Sequence, residues 1–392
     1  MKIVQFGLCF SPNLGDGVIS DCIAHGVTTK EPDATVTHVD LSARQSRGDV
    51  VIPNRKAILA ILDRLPRVVR QSLTKWKLTR LMQSVDAQWE KAVDVDLAVI
   101  GGGQLFADAN LNFPIKIANA ARILSQKKTP TVVYAVGVSS NWSKQGADLF
   151  QSLQKTDLRM IGVRDDGSAE SWRDQMPENL KPEITYDPGL LAASCYGEVA
   201  AKPKLVGLCI TDFGTLTHHA DGNVAGQLTG AVEFYAGIVS ASIASGYSVA
   251  LFSNGAAEDA ALLQKVVNDP SIRGLEDVIV PKQPTTPREL AHVIAGCSAV
   301  IAHRLHACIV AYSYQRPVVG LGWDSKLQSF FTLANMPTSF SDAPNLDAAE
   351  IVGMVTAALE DGVSTKDHAR MLGGAWDGID RLLSHAKGSG AE

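Results

Sequence analysis

Short apolar runs alternate with longer amphipathic segments along almost the whole chain. The apolar runs are bounded by Gly, Pro, Asn and Asp, which is typical of buried strands that end in turns. In the first half of the chain, strands are predicted at 2–9, 36–41, 97–100, 131–136, 160–163 and 184–186. Helices are predicted between these strands, and such alternation indicates a parallel sheet covered by helices on both faces.

A second series of the same kind follows a break in periodicity. Residues 195–204 (CYGEVAAKPK) lose the pattern and contain a glycine and a proline, so we predict an interdomain linker there. Strands are then predicted at 205–210, 248–252, 278–280, 299–302 and 317–321, and helices at 346–360 and 366–386. The sequence thus predicts an α/β protein with two Rossmann-like domains, 1–195 and 204–345, facing across a cleft. Residues 346–392 are predicted to be C-terminal helices, and their return to the first domain is an open alternative.

Length and composition fit a two-domain enzyme. The 392 residues exceed what one hydrophobic core usually covers. The net charge of -5 gives no basis for general nucleic-acid binding. Because neither a signal peptide nor an apolar run of about 18 residues is visible, we expect a cytoplasmic protein without a transmembrane helix. The six cysteines contain no C-x-x-C pair, so buried free thiols are predicted.

The segment 298–331 is the richest in candidate chemistry. Arg304 and His306 follow the apolar run 299–302, and Lys326 comes just after the next predicted strand. Open parallel sheets bind ligands at the carboxyl ends of their strands. Two cations and an imidazole would therefore surround one anion-sized space. The alternative is that the arginine and histidine only cap a helix or pair with neighbouring carboxylates.

Several motifs resemble those of the polysaccharide pyruvyl transferase family. The sequences AHRLHACI (302–309) and RPVVGLGWDSK (316–326) are similar to its C-terminal signature. Asn13, Gly15 and Asp16 resemble its N-x-G-D turn, and GGG at 101–103 resembles its glycine-rich strand end. Arg164 lies in a segment that resembles the family's arginine-acid-serine turn, and Asp187-Pro188 comes later in the chain. The ordered similarity therefore spans roughly residues 3–335.

Two positions depart from the family pattern. Ala302 stands where the family commonly has a serine, which excludes a serine hydroxyl acting on the donor there. Asp165 stands where the family commonly has a glutamate, which keeps the charge but shortens the side chain.

The resemblance implies a GT-B arrangement and transfer of pyruvate from phosphoenolpyruvate to two hydroxyls of one sugar, without a cofactor or metal. The product is a cyclic ketal, and phosphate is released. The donor carries a carboxylate and a phosphate, so fixed cations are needed. Arg304, Lys326 and Arg164 are the candidates.

The same reaction needs a proton donor and a proton acceptor. His306 is the candidate general acid, because an anionic donor would hold its proton on. A neutral, structural histidine is the alternative. Asp16 and Asp187 are the candidate bases, and both have helix or turn capping as a competing role.

The glycine run 101–103 follows an apolar strand and is predicted to form a tight turn that permits sheet-to-sheet or substrate approach. It is not G-x-G-x-x-G and has no suitably spaced acid, so dinucleotide binding is disfavoured. His218 and His219 lack a third ligand with recognisable spacing, so no metal site is predicted. The surrounding loop 211–225 is predicted to be a mobile edge of the cleft.

Residues 55–80 form a strongly basic segment, with eight basic side chains against the single acid Asp63. Apolar residues recur at helical spacing, interrupted by Pro66, which predicts one or two amphipathic helices. A solvated helix face is one interpretation. The other is contact with an anionic membrane, which would suit a lipid-linked acceptor at the inner face of the cytoplasmic membrane.

Two other functions compete with pyruvyl transfer. A GT-B nucleotide-sugar glycosyltransferase of surface-polysaccharide or capsule synthesis would share the fold, but more often has a glutamate-containing turn that binds the ribose. A non-catalytic sugar-binding protein would have no reason to gather cations at one sheet edge. The acceptor sugar, the bridged hydroxyls and the general base stay open.

Overall fold

The computed structural model describes residues 1–49, 67–214, 230–323, 325–343 and 346–386. Residue contacts divide the chain into two compact units. The first unit contains Met1–Ser11, Ile19–Pro188 and Ala375–Glu392. The second unit contains Gly189–Gly374 and also the short segment Pro12–Val18, which comes from the beginning of the chain.

The first unit is built on a parallel sheet in the order β2-β1-β3-β4-β5-β6. Its strands are β1 (Lys2–Gly7), β2 (Thr35–Asp40), β3 (Leu97–Phe106), β4 (Pro130–Val138), β5 (Asp157–Val163) and β6 (Glu183–Ile184). Its helices are α1 (Leu14–Lys30), α2 (Arg67–Ala92), α3 (Asn112–Lys127), α4 (Lys144–Phe150) and α5 (Asp166–Gln175). Strand order reverses between β1 and β3. Fully buried aromatic side chains such as Trp89 and Trp172 fill the space between sheet and helices.

The second unit repeats the design with the order β12-β11-β10-β7-β8-β9. Its strands are β7 (Leu205–Ile210), β8 (Ser248–Ser253), β9 (Val278–Ile279), β10 (Ala299–Ala302), β11 (Val318–Leu321) and β12 (Phe340–Ser341). Its helices are α6 (Ala192–Tyr196), α7 (Ala231–Ala244), α8 (Ala257–Val267), α9 (Pro287–Ala295), α10 (Leu305–Ser313), α11 (Ser325–Leu333) and α12 (Ala348–Asp361). The last helix, α13 (Thr365–Ser384), begins in the second unit and ends in the first. Strand order reverses between β7 and β10.

The predicted strands are confirmed with shifts of a few residues at their ends, except at the glycine run. We expected the third strand to end before Gly101, but β3 continues through the glycines to Phe106. Gly102 and Gly103 adopt positive φ, and the register with β4 shifts between Gly103 and Phe106. The glycines therefore form an irregularity inside a strand, which only residues tolerant of left-handed backbone can do.

The described part of the basic segment belongs to α2. Arg55, Lys56, Asp63, Arg64 and Pro66 lie outside the described residues, and so do the side chains of Arg67 and Arg70. None of the described helices is long and apolar enough to cross a membrane. All six cysteines are free, and all but Cys195 are buried, as predicted.

Candidate functional site

The strand order of the second unit reverses between β7 and β10, and open α/β sheets commonly bind ligands at such a reversal. β7 is paired with β8 on one side and with β10 on the other. Connections leave in opposite directions from the carboxyl ends of β7 and β10, and ligands of open α/β sheets bind in the crevice this creates. Arg304 lies two residues after the end of β10 at this edge, and Asp212 lies two residues after the end of β7.

Arg304 is held by a carboxylate that the sequence did not single out. Its Nε and Nη2 both donate to Oδ2 of Asp259, over 3.0 Å and 2.6 Å. The other oxygen of Asp259 accepts a hydrogen bond of 2.8 Å from the backbone N–H of Asp212. The Asp259 side chain is fully buried, whereas 13% of the Arg304 side chain is exposed. Asp259 thus fixes the guanidinium, and part of the Arg304 side chain still reaches solvent.

Burial raises the pKa of the Asp259 carboxyl, and the neighbouring Arg304 opposes that rise. A buried carboxylate is costly unless it is paired and hydrogen-bonded, and here it is both. Asp259 lies in the first turn of α8, so the only sequence signal was an acid at the start of a helix. That signal fits a helix-dipole role equally well.

His303, the residue before Arg304, is a second buried group that the sequence reasoning missed. Its Nδ1 lies 3.2 Å from the hydroxyl of Tyr235. That hydroxyl accepts from the Thr211 N–H and donates to the Thr211 carbonyl, which leaves Nδ1 of His303 as a donor. Burial lowers the pKa of His303 to about 3, so the ring is neutral at physiological pH. The contact ties the end of β10 to the residue that follows β7.

Trp323 links Lys326 to the end of β10. The indole Nε1 of Trp323 donates to the carbonyl of His303 over 2.7 Å. Nζ of Lys326 lies 5.6 Å from the centre of the Trp323 ring, a cation–π distance. The loop after β11 is therefore held beside the end of β10. Asp324, between Trp323 and Lys326 in the motif, lies outside the described residues.

His306 lies in the first turn of α10 and is largely buried. Its Cβ lies so close to Gly15 that a Cβ at Gly15 would be 2.6 Å away. The segment of Gly15 is fixed by two contacts to the end of β8. The N–H of Leu14 donates to the carbonyl of Asn254 over 2.9 Å, and the side chain of Asn254 donates to that of Asn13. Asn13 and Gly15 thus place the N-x-G-D turn against His306, within the second unit.

Asp16 follows Gly15 and lies half-buried in the first turn of α1. Asp187, the other candidate base, belongs to the first unit, where it is buried. Burial of Tyr134 in the same unit raises the pKa of its hydroxyl, and the charge of Asp187 raises that pKa further. Asp16 therefore belongs to the same unit as His306 and Arg304, whereas Asp187 belongs to the first unit.

Arg164 lies at the carboxyl end of β5 in the first unit and is almost fully buried. Its Nε donates to Asp165 over 3.2 Å, and its Nη2 donates to the side chain of Gln104 over 3.0 Å. Asp165 also caps α5 by accepting a 2.7 Å hydrogen bond from the N–H of Ser168. Gly137 leaves the room for this cluster, because a Cβ there would collide with Gln104 and Arg164.

The glycine run has a packing role in the first unit. A Cβ added to Gly102 would overlap the side chain of Ile19 in α1. A Cβ at Gly101 would lie 2.8 Å from the carbonyl of Tyr134 in β4. These glycines allow α1 and the strands to approach closely.

Within the described ranges, no group of three or more His, Cys, Asp or Glu side chains is arranged to hold a metal ion. His218, His219 and most of the predicted mobile loop 211–225 lie outside those ranges. The predictions about them stay untested.

Solved structures similar to this one share its fold at low sequence identity. The UDP-GlcNAc 2-epimerase from Methanocaldococcus jannaschii has a TM-score of 0.58 at 11% identity, over 98% of this chain and 100% of that chain. The UDP-N-acetylglucosamine 2-epimerase from Rickettsia bellii has a TM-score of 0.55 at 9% identity, over 98% and 96%. The UDP-GlcNAc 2-epimerase from Neisseria meningitidis, bound to UDP-GlcNAc, has a TM-score of 0.52 at 11% identity, over 98% and 99%. These likenesses confirm the predicted GT-B fold class and carry no information on the reaction.

The sequence comparisons identify the family. A comparison with curated proteins finds no match. The family model described as polysaccharide pyruvyl transferase matches residues 13–325, which include the N-x-G-D turn, the Arg164 turn, Arg304 and His306. The chain therefore belongs to the polysaccharide pyruvyl transferase family.

Proposed function

We propose that the protein transfers pyruvate from phosphoenolpyruvate to two hydroxyls of one sugar in a polysaccharide precursor, forming a cyclic ketal and releasing phosphate. One observation carries the proposal. Three motif residues of the family, Arg304, His306 and Lys326, lie in one unit, on the elements that follow the neighbouring strands β10 and β11. The arginine and the lysine of this edge can bind a small dianion, and its imidazole can give that dianion a proton.

The donor's two anionic groups match the positive features of this edge. Arg304 has a side chain that stays partly exposed although it is paired with Asp259, and Lys326 supplies a second cation. The first turn of α10 adds the positive end of a helix dipole, and its N-cap residue, Arg304, makes no side-chain capping hydrogen bond. We assign the donor phosphate and carboxylate to these groups, with Asp259 and Trp323 as their supports.

His306 is proposed as the general acid. It gives its proton to the methylene carbon of phosphoenolpyruvate, which makes the neighbouring carbon electrophilic. A sugar hydroxyl attacks that carbon and loses its proton, which returns to the base or to His306. The bond to phosphate then breaks, the second hydroxyl closes the ring, and its proton leaves with the phosphate. The sum of the steps is one diol and one phosphoenolpyruvate giving one ketal and one phosphate.

Asp16 is our choice for the base that accepts a hydroxyl proton. It follows Gly15, whose backbone contacts the Cβ of His306, and both belong to the second unit. Asp187 belongs to the first unit and remains the alternative. Arg164 keeps its predicted role as a donor-binding cation, although its described contacts are to Asp165 and Gln104.

The acceptor is proposed to be a polymeric or lipid-linked oligosaccharide used in exopolysaccharide or capsule synthesis. Such an acceptor is presented at the cytoplasmic side of the inner membrane, so we propose that the protein works in the cytoplasm at that surface. No cofactor or metal is part of this proposal.

The test is incubation of the purified protein with phosphoenolpyruvate and a panel of lipid-linked oligosaccharides. We expect phosphate release that depends on one acceptor, with a mass increase of the acceptor equal to one pyruvate less one water. The matched control is Arg304→Ala. Transfer of a sugar from a nucleotide sugar to the same acceptors, without use of phosphoenolpyruvate, would instead establish the glycosyltransferase alternative.

A further inference from the structure

The first half of α2 presents bulky apolar side chains to solvent. Val69, Leu73 and Trp76 are exposed by 44%, 45% and 58%. They are spaced at i, i+4 and i+7, so they form one stripe along the helix. Together with Lys75, Lys77 and Arg80, these residues are called the α2 surface.

The stripe is not part of the helix face that packs on the core. Leu78, Met82, Val85 and Trp89 are buried in the first unit. At 3.6 residues per turn, these positions lie about 180° around the helix from Val69, Leu73 and Trp76. The helix thus has two apolar faces. The core needs only one of them, so the second face requires a different explanation.

The charge around the second face has a single sign. From Arg67 to Val85 the sequence has five basic residues and no acidic residue. Lys75, Lys77 and Arg80 are exposed, and the guanidinium of Arg80 lies 4.3 Å from the centre of the Trp76 ring. This contact places a cation at the level of the largest apolar side chain. Apolar anchors surrounded by Lys and Arg are the features of helices that lie in the interface of anionic membranes.

Other occupants fit this surface less well. A second copy of the same surface would bring like charges together, and the segment offers no carboxylate to offset them. A protein partner would bury the tryptophan but would need an acidic surface of matching shape. An anionic bilayer provides both an apolar layer and a dense field of phosphates, and it needs no shape complementarity.

We propose that the α2 surface binds anionic lipid bilayers, with Val69, Leu73 and Trp76 inserted at the level of the headgroups and with Lys75, Lys77 and Arg80 contacting lipid phosphates. The inference rests on the geometry of α2 and does not depend on the proposed pyruvyl transfer. It explains how a protein without a described membrane-spanning helix would meet a membrane-borne molecule.

Co-sedimentation with vesicles tests the surface. We expect the full chain to bind vesicles that contain phosphatidylglycerol and not vesicles of phosphatidylcholine alone, and to be released by high salt. Each basic side chain near an anionic surface strengthens binding by about five-fold, so Lys75→Gln/Lys77→Gln/Arg80→Gln should weaken it on the order of 100-fold. The control Lys91→Gln/Lys127→Gln/Lys155→Gln removes the same charge from other exposed positions of the first unit and should weaken binding much less.

The apolar stripe is tested separately. Leu73→Ser/Trp76→Ser should reduce vesicle binding by at least ten-fold, because the inserted apolar area is lost. The control Leu275→Ser/Val280→Ser changes apolar residues with similar exposure in the second unit, 40% and 42%, and should have no effect. The fluorescence emission spectrum of the parent protein minus that of Trp76→Phe reports Trp76 alone. This difference should shift to shorter wavelength, and resist quenching by iodide, when anionic vesicles are added.

Three outcomes would overturn the proposal. One is absence of binding to phosphatidylglycerol vesicles at low salt. Another is equal loss of binding in the α2 and control charge variants, which would show attraction by net charge without a defined surface. The third is a concentration-dependent dimer without vesicles that Leu73→Ser/Trp76→Ser dissolves, which would assign the surface to self-association. Phosphate release by the variants on a soluble acceptor is a separate measurement, so failure here leaves the pyruvyl transfer proposal intact.

Discussion

Each unit has an arginine at the carboxyl edge of its sheet, and each arginine is paired with an aspartate. Arg164 makes a single 3.2 Å contact with Asp165, its neighbour in sequence, and is 4% exposed. Arg304 makes two shorter hydrogen bonds to Asp259, which is 45 residues away and fully buried. Asp165 also caps a helix, whereas Asp259 is tied to the end of β7. The first arrangement joins neighbours in sequence around an almost fully buried arginine, and the second uses a distant carboxylate to hold a partly exposed arginine at the edge of its sheet.

Removing the aspartates should separate the two arrangements most clearly. Loss of one partner from a buried ion pair costs about 3–5 kcal/mol of folding free energy. In double-mutant cycles with Arg304→Met and Asp259→Ala, we expect a coupling energy near the upper end of the usual range of about 0.5–3 kcal/mol. The cycle with Arg164→Met and Asp165→Ala should give a smaller value. Urea denaturation of all variants provides the numbers, and equal couplings would contradict the distinction.

The same ion pair predicts a pH effect of known sign. The pKa of Asp259 is higher in the folded protein than its ordinary value. The contribution of this group to the free energy of unfolding is therefore present at low pH and is lost as pH rises through the folded pKa. Arg304→Met removes the cation that opposes this rise. The destabilisation of Arg304→Met should therefore be smaller at pH 5 than at pH 7, and Arg304→Met/Asp259→Asn should lose this difference.

His306 tests whether the edge of the second unit carries the chemistry. His306→Gln should lower turnover by about 100-fold or more, the usual contribution of a general acid, with little change in phosphoenolpyruvate binding. The control is His292→Gln, because His292 lies in the same unit and contacts the carbonyl of Tyr196. A rate and pH profile equal to those of the parent protein would make His306 structural.

Gly15 tests the contact between the N-terminal turn and His306. A methyl group at Gly15 would push on the His306 Cβ, so Gly15→Ala should lower turnover by about ten-fold. Gly353→Ala is the matched control, since Gly353 is exposed in α12 and has no atom near the added methyl. That variant should keep its activity and gain up to about 1 kcal/mol in stability. Full activity in Gly15→Ala would show that the contact is not needed for catalysis.

His303 should affect the pH dependence of stability. Its pKa is lowered from its ordinary value of 6.5 to about 3 in the folded protein, so the unfolded chain binds more protons between those values. Stability should fall as pH decreases from 6.5 towards 3, by at most about 1.4 kcal/mol per pH unit from this group. His303→Gln should reduce that dependence. Urea denaturation across this range measures it, and identical slopes for the two proteins would contradict the assignment.

The sequence predicted what depends on local pattern. Strand runs, the family motifs and the grouping of Arg304, His306 and Lys326 on the elements after β10 and β11 follow from residues near one another in the chain. The ion pair with Asp259 could not be predicted, because it depends on β8 and β10 flanking β7. Strand order is a tertiary property, and the sequence pattern does not contain it.

The N-terminal turn and the glycine run show two other limits. Chain order placed Asn13 and Gly15 in the first predicted domain, whereas their contacts group them with the second unit. The glycines after Ile100 predicted the end of a strand, because glycine usually interrupts one. Here positive φ at Gly102 and Gly103 lets the strand continue through an irregularity beside Ile19.

The most direct test of the central claim is calorimetric titration of phosphoenolpyruvate into the parent protein and into the folded variants Arg304→Ala and Lys326→Ala. Hydrogen bonds to charged groups contribute about 1.5–3 kcal/mol, so each variant should bind phosphoenolpyruvate about 10- to 100-fold more weakly. Arg122→Ala, which removes an exposed arginine paired with Asp86, should bind as the parent does. Unchanged affinity in both variants, or binding of a UDP-sugar in place of phosphoenolpyruvate, would contradict the assignment of this edge as the donor site.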